Sequence, residues 1–266
     1  MIRSEEATVM GINLRLIGRR GNKTCRLIVK DVGIPRFTGV KDKAAILINF
    51  GLAGDKRDEF LRRFPSAARI PTINKNCGYS KLSVINRAKS IDIPVPDSKL
   101  MLAKGDDIKD WIEKRFNSVG GKGIRTARSK GKMPDKYYQK FVKDRVYELR
   151  IHAFLWMEEK DYRVQKRVGD AKEIAWNFSQ GGSFITVKNP VGYRVFRDAM
   201  EMSTKILKNL GMSFGAVDFI VTKGHEVLFL EVNSAPGVSG LSDEIYINAF
   251  KELKKLPLKS LKEYTR

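Results

Sequence analysis

This sequence predicts a mixed fold, a small N-terminal α/β layer followed by a larger α+β part, on three observations. Residues 44–54, A-A-I-L-I-N-F-G-L-A-G, are an apolar run closing in glycines, as a buried strand and its loop do, and a charged helical stretch follows directly. Two prolines, Pro94 and Pro96, then mark a boundary beyond which the texture changes. Past it, segments rich in aromatic and β-branched residues follow one another as strands, and a long amphipathic helix leads into a hairpin.

In chain order, V-M-G-I-N-L-R-L-I-G (9–18) and T-C-R-L-I-V-K (24–30) read as short strands joined by R-R-G-N-K. Together they make residues 1–40 a basic strand extension laid over the core. Residues 41–96 form the α/β layer, with the strand in 44–54, a charged helix from Asp55 to Phe64 and a short strand from Ala67 to Ile73. Its last helix runs from Ser80 to Ser90, where Leu82, Ile85 and Ala88 recur at helical spacing. Residues 97–256 make the larger module, divided into subdomains at 97–141 and 142–256. A helix around 106–112 leads to strands at I-E-K-R-F, Y-Y-Q-K-F-V, Y-E-L-R-I-H-A-F-L-W-M and Y-R-V-Q-K-R-V. The helix from Tyr193 to Leu210 collects Phe196, Met200, Ile206 and Leu207 on one face, and Gly211 stands where a C-cap belongs. F-G-A-V-D-F-I-V-T and H-E-V-L-F-L-E-V-N then pair across Lys223-Gly224. Ile245 to Leu253 is the last helix, and the Lys-rich tail at 257–266 reads as loose.

The 266 residues, 42% hydrophobic, are enough for a full core. Lys and Arg number 51 against 30 Asp and Glu, a formal net charge of +21, which favours polyanionic partners. Two cysteines, Cys25 and Cys77, make neither a metal motif nor a disulfide framework. No apolar run reaches the roughly 18 residues a bilayer span needs, and no signal peptide opens the chain. The expected setting is cytoplasmic, with no membrane partner; oligomeric state leaves no mark in the sequence. His152 and His225 are isolated, and no Ser-His-Asp or Cys-His set is present to act as a nucleophile.

The chemistry concentrates in residues 228–240, L-F-L-E-V-N-S-A-P-G-V-S-G. Strand side chains alternate faces, which places Leu228, Leu230 and Val232 on one side and Phe229, Glu231 and Asn233 on the other. Asp218 lies near the end of the neighbouring strand, so three oxygen-bearing side chains converge. Hard donors of this kind suit Mg²⁺, which keeps several waters and uses one or two carboxylates beside substrate phosphates. Residues 117–124, N-S-V-G-G-K-G-I, are a Gly-rich loop whose backbone N–H groups can approach phosphate, with Lys122 as a point charge. Lys114 points inward from the strand before it, a costly position unless an anion is present.

In this order the segments resemble the ATP-grasp superfamily of carboxylate–amine ligases, most of all its ribosomal-tail glutamate ligase and D-alanine–D-alanine ligase branches. The resemblance runs from about Lys81 to Leu241. It implies an ATP-grasp fold of two α+β subdomains clamping ATP, preceded by a small N-terminal α/β domain. The family's E-x-N-x-x-P-G segment matches E-V-N-S-A-P-G, and its G-x-D strand matches G-A-V-D-F-I. Asp218, Glu231 and Asn233 are thereby implied as ligands of Mg²⁺, with Mn²⁺ as an alternative. Lys81, Lys114 and Lys166 are implied to touch ATP, with Gly120, Gly121 and Lys122 over its phosphates. Q-K-F-V resembles the adenine-reading hinge and implies Gln139, Phe141 and Val142 there, with Glu148 beside the nucleotide. E-L-R, Q-K-R and N-F-S-Q-G-G imply catalytic roles for Arg150, Arg167 and Asn177. Lys140 replaces the hinge acid usual in the family, and Gln180 an arginine usual in the glutamate ligases.

What the resemblance implies is ATP-dependent amide or peptide bond formation through an acyl phosphate, with ADP and phosphate released. Its substrates are small carboxylates and amines, or an acidic peptide or protein acceptor. Eleven Lys or Arg between 114 and 145, against Asp135 and Asp144, exceed what ATP requires. They suit a polyanionic acceptor, nucleic acid included, or a solvated loop. The alternative function is a nucleic-acid-binding protein on an ATP-grasp scaffold that does not turn over.

Overall fold

Three sheets carry the chain in the computed structural model, which describes residues 12–19, 21–39, 41–117, 123–169, 173, 174, 176, 183–237 and 242–265. The first is parallel, with β2 (Ile46–Phe50) between β1 (Leu14–Gly18) and β3 (Thr72–Ile73). All five β2 residues are buried, because helices and loops cover both faces of a parallel sheet. Its crossovers are α1 (Lys23–Leu27) with a π-helical turn over Ile28–Val32, and α2 (Asp55–Arg63). Thus T-C-R-L-I-V-K is helical, where its β-branched content predicted a strand. The Asn22 side chain accepts the Cys25 N–H to start the turn, and Gly33 at φ 70° ends it. The expected division at residue 40 falls inside this sheet, since β1 pairs with β2 from Leu14↔Ile46 to Gly18↔Phe50. Parallel pairing needs such a crossover, and a hairpin extension does not provide one.

After α3 (Lys81–Lys89), the second sheet is antiparallel in the order β4-β7-β5-β6, from β4 (Ser98–Lys99), β5 (Trp111–Arg115), β6 (Arg125–Thr126) and β7 (Lys136–Lys140). The helix expected around 106–112 is only a 3₁₀ turn at Ile108–Asp110, capped by the Asp107 side chain. The third sheet runs β10-β9-β8-β11-β12, all antiparallel. Its strands are β8 (Arg145–Phe154), β9 (Arg163–Val168), β10 (Ser183–Thr186), β11 (Phe214–Thr222) and β12 (Val227–Asn233). Helix α4 (Arg194–Asn209) packs with α3 on one face, over Leu149, Ile151, Val217, Phe219 and Phe229. Gly211 follows at φ 62°.

The other face changes character along each strand. Phe154 and Phe214 lie in a core shared with β2, α1, α5 (Ser242–Lys255) and α6 (Leu258–Glu263). Toward the opposite end of β8 and β11 the same face carries Glu148, Arg150 and Asp218. The tail is ordered: Leu261 of α6 is fully buried in that shared core, which is why the Lys-rich segment is not loose. Asn74, at φ 56°, fastens the first sheet to the third: its amide donates to the Phe214 carbonyl at 2.9 Å and accepts the Ser213 and Phe214 N–H groups at 2.6 and 3.2 Å. No helix among the described residues is long and apolar enough to cross a membrane.

Candidate functional site

The second and third sheets face each other across a cleft, and the β7–β8 connection at 140–142 forms its back. Its position depends on an irregularity in β12. Asp218 pairs with Glu231 and Phe219 with Phe229, so Leu230 is an extra residue. That β-bulge breaks the expected alternation. Phe229 and Val232 pack into the core over α4, while Leu230 and Glu231 both line the cleft. The grouping of Phe229 with Glu231 and Asn233 on one face is therefore corrected: the bulge turns the strand by one residue between them. Asn233 follows on the cleft side, its amide 3.4 Å from a Glu231 oxygen.

One end of the cleft is apolar, walled by Ile112, Phe141, Val142, Ile220 and Leu230. The other is densely charged. Arg150 donates to both Asp218 oxygens at 2.7 Å, and Arg167 lies 3.6 Å from the same carboxylate. Burial alone would raise the Asp218 pKa, yet Arg150 and then Arg167 hold it below the usual carboxylate range. Glu148 accepts from Arg167 at 2.7 Å and Arg145 at 2.9 Å; there burial wins and raises the carboxyl. Lys81 opens α3, where the Ser80 side chain caps the helix and the Lys81 N–H bonds the Phe116 carbonyl, and its ammonium reaches Glu231 at 2.7 Å. Lys114 is buried, 2.9 Å from the Gln139 side-chain oxygen, and burial pushes its pKa down to about 8 against the pull of Glu231.

Five cations thus meet three carboxylates, a positive surplus in a low-dielectric slot. The ion pairs close on one another and leave only about 60 Å³ open. Two buried polar atoms here, Tyr137 Oη and Arg167 Nε, have no hydrogen-bonding partner among the described residues. The carboxylates of Asp218 and Glu231 with the Asn233 amide are a hard donor set that fits Mg²⁺. Among the described residues no three His, Cys, Asp or Glu gather, so phosphate oxygens and water would complete the coordination.

No family model matches the chain. Over 171 residues it is 26% identical to a D-alanine–D-alanine ligase of Aquifex aeolicus (strain VF5), covering 58% of this chain and 57% of that protein. It therefore spans a little over half the length of this curated relative. Its structure is similar to a RiPP-associated ATP-grasp ligase from Chryseobacterium gregarium, solved with ADP and a leader and core peptide. There the TM-score is 0.58 at 13% identity, over 92% of this chain and 97% of that one. The chain has the ATP-grasp fold. The D-Ala:D-Ser ligase VanG from Enterococcus faecalis aligns at TM-score 0.55 and 16% identity, over 83% of this chain and 73% of VanG. The ATP-grasp ligase PsnB, solved with a minimal precursor, Mg and ADP, aligns at 0.57 and 12% identity, over 96% of this chain and 97% of PsnB.

The ATP-grasp cleft brings together Lys81, Lys114, Gln139, Phe141, Val142, Glu148, Arg167, Asp218 and Glu231. Arg150 and Asn233 join it through Asp218 and Glu231. Lys166 does not belong there. It pairs in register with Leu149 on the opposite face of the sheet, and its ammonium sits 4.2 Å above the Tyr147 ring. Neighbours in a strand point to opposite sides, so Q-K-R can present only Arg167 beside Glu148. Gly120, Gly121, Lys122 and Asn177 lie outside the described residues.

Three contributors had escaped the sequence reading. Arg145 binds Glu148 and lies 3.7 Å from the centre of the Trp176 ring, which lines the cleft. Phe184 covers the guanidinium groups of Arg150 and Arg167 at 5.4 and 4.7 Å. The basic stretch, in turn, is less available than its count suggested. Arg115, Arg125, Lys136, Lys143 and Arg145 each pair with an acid, two of them with the buried Glu113, and Lys114 is inside the cleft.

Proposed function

We propose that the protein is an ATP-dependent ligase that joins a carboxylate to an amine, releasing ADP and phosphate. The observation that carries this reading is the cleft's paired charge. Lys81, Lys114 and Arg167 supply positive charge for the phosphates, and Asp218, Glu231 and Asn233 supply a divalent metal's ligands. Lys81 holds Glu231 and Arg167 faces Asp218 until a nucleotide separates them. The apolar end takes the adenine. The N–H groups of Lys140 and Phe141 are already bonded to the carbonyls of Asp97 and Asp110. The Gln139 amide is likewise held, by Lys114 and Ser98, so base recognition falls to the remaining backbone groups of 140–142.

A carboxylate is a poor electrophile, and phosphorylation by ATP gives it a leaving group that an attacking amine displaces. The metal, when bound, offsets charge on the phosphate oxygens as the phosphoryl group moves. Arg167 and Lys114 are fixed donors for the same charge and need little reorganisation. With only about 60 Å³ open, nucleotide entry requires the cleft between the second and third sheets to widen. The substrates we favour are an amino acid or peptide carboxylate and an amine.

The deciding measurement is ADP release against a panel of amino acids and peptides with Mg²⁺. Lys114→Ala should weaken ADP binding roughly 10- to 150-fold, the loss of about 1.5–3 kcal/mol from one charge-assisted contact. The wild-type affinity should also fall between pH 7 and 9. Lys114 loses its proton near pH 8 in the empty cleft, and the neutral amine cannot pair with phosphate. A wild-type pH profile no steeper than that of Lys114→Ala would place the phosphates elsewhere.

A further inference from the structure

The N-terminal sheet carries a second concavity, of about 560 Å³, between the end of β1, residues 36–38 that pair along its outer edge, and helix α2. Its floor is aromatic. Phe37, Phe60 and Phe64 pack edge-on or tilted, with centroids 5.2–6.1 Å apart. No residue of α2 is fully buried, so Phe60 stays half open to solvent. The rim is basic. Arg19, Lys56 and Arg63 are exposed and line the groove, and none of them pairs with an acid among the described residues. Glu59 is the one acid in the lining among the described residues.

An apolar floor under an unpaired cationic rim is complementary to an anionic chain bearing a large apolar side chain. The groove also leads toward the reaction centre. Leu52 is its wall on one side and the wall of a smaller pocket on the other, which runs past Arg57 to Cys77. The Cys77 thiol lies close to the side chain of Ser234, the residue after Asn233.

We propose that this groove docks an acidic peptide segment with a bulky apolar residue, and that the segment belongs to the substrate ligated in the cleft. The second half rests on the ligase reading above; the docking itself does not. The apolar side chain rests on the open faces of Phe60 and Phe64, and the flanking carboxylates meet Arg19, Lys56 and Arg63. The reactive end of the peptide lies beyond Leu52.

The test uses the full chain without nucleotide and a fluorescein-labelled Glu-Glu-Phe-Glu-Glu-Leu peptide, read by fluorescence anisotropy at low salt. Binding should weaken as salt rises and should not be matched by the Lys-for-Glu counterpart. Lys56→Glu with Arg63→Glu should raise the Kd about tenfold or more, leaving Tm and ADP affinity unchanged. Phe60→Ala should weaken the acidic peptide while preserving its salt dependence. Failure of the wild type to bind, or equal binding by the double variant, overturns the proposal. So does selective binding of an oligodeoxythymidylate in place of the peptide. Peptide binding in a protein that takes no ADP would sustain the groove and sink the ligase reading.

Discussion

Asp218→Ala should lower stability by about 3–5 kcal/mol, the cost of leaving a buried charge without its partner. Arg150 makes both of its short bonds to this carboxylate. Arg167 keeps Glu148, so the main casualty is the Arg150 guanidinium, which loses a two-point bond to a carboxylate only 3% exposed. The wild type should show a related acid sensitivity. With its pKa held down, Asp218 stabilises the fold above the ordinary carboxylate range. That contribution is lost as pH falls through the lowered value. Thermal unfolding of Asp218→Ala should drop by roughly 10 °C or more for a chain of this size. A variant as stable as the wild type would mean that Arg150 finds another counter-ion.

Glu231→Gln should behave in the opposite way, folding normally and losing turnover. Glu231 is 28% exposed and makes one bond to Lys81, and the glutamine keeps an acceptor for that ammonium, so little stability is lost. Its chemistry is another matter. Removing one electrostatic stabiliser of a transition state typically costs about 10²- to 10³-fold in rate, and a metal ligand belongs in that class. ADP release at saturating Mg²⁺ and substrate measures it. Turnover within threefold of wild type would exclude Glu231 as a ligand. The two variants together separate the carboxylate that also holds the fold from the one whose role is confined to the metal.

Much of this site was legible because its residues are chemically expensive. A buried Lys114, a strand ending in Glu231 and Asn233, and Asp218 inside an apolar run each need an ionic partner, and composition alone says so. Elements with strong periodicity, α3, α4 and the β11–β12 hairpin, were legible for the same kind of reason. What failed was parity and context. The bulge at Leu230 reverses which residues face the cleft, and nothing in L-F-L-E-V-N marks an extra residue. Lys166 was a different error, since strict alternation on β9 forbids it from sharing a face with Arg167. T-C-R-L-I-V-K has strand-like residues but becomes a crossover, because a parallel β1–β2 pair needs one. Arg145 and Trp176 join the site only through tertiary packing, so no local signal points to them.

The Asn74 clamp has a consequence for how the molecule comes apart. With Phe50, Phe154, Phe214, Tyr246 and Phe250 in one core, the first and third sheets each give one face to a shared interior, so neither loses that face without the other. Amides of β2 and β11 should exchange with deuterium at one shared opening free energy, that of global unfolding. The second sheet has its own small core of Leu102, Trp111, Ala127 and Tyr138. Its amides should exchange earlier, through a partial opening that leaves the rest protected. On the ligase reading proposed above, the sheet that has to lift for a nucleotide to enter is the one that can come loose without unravelling its neighbours.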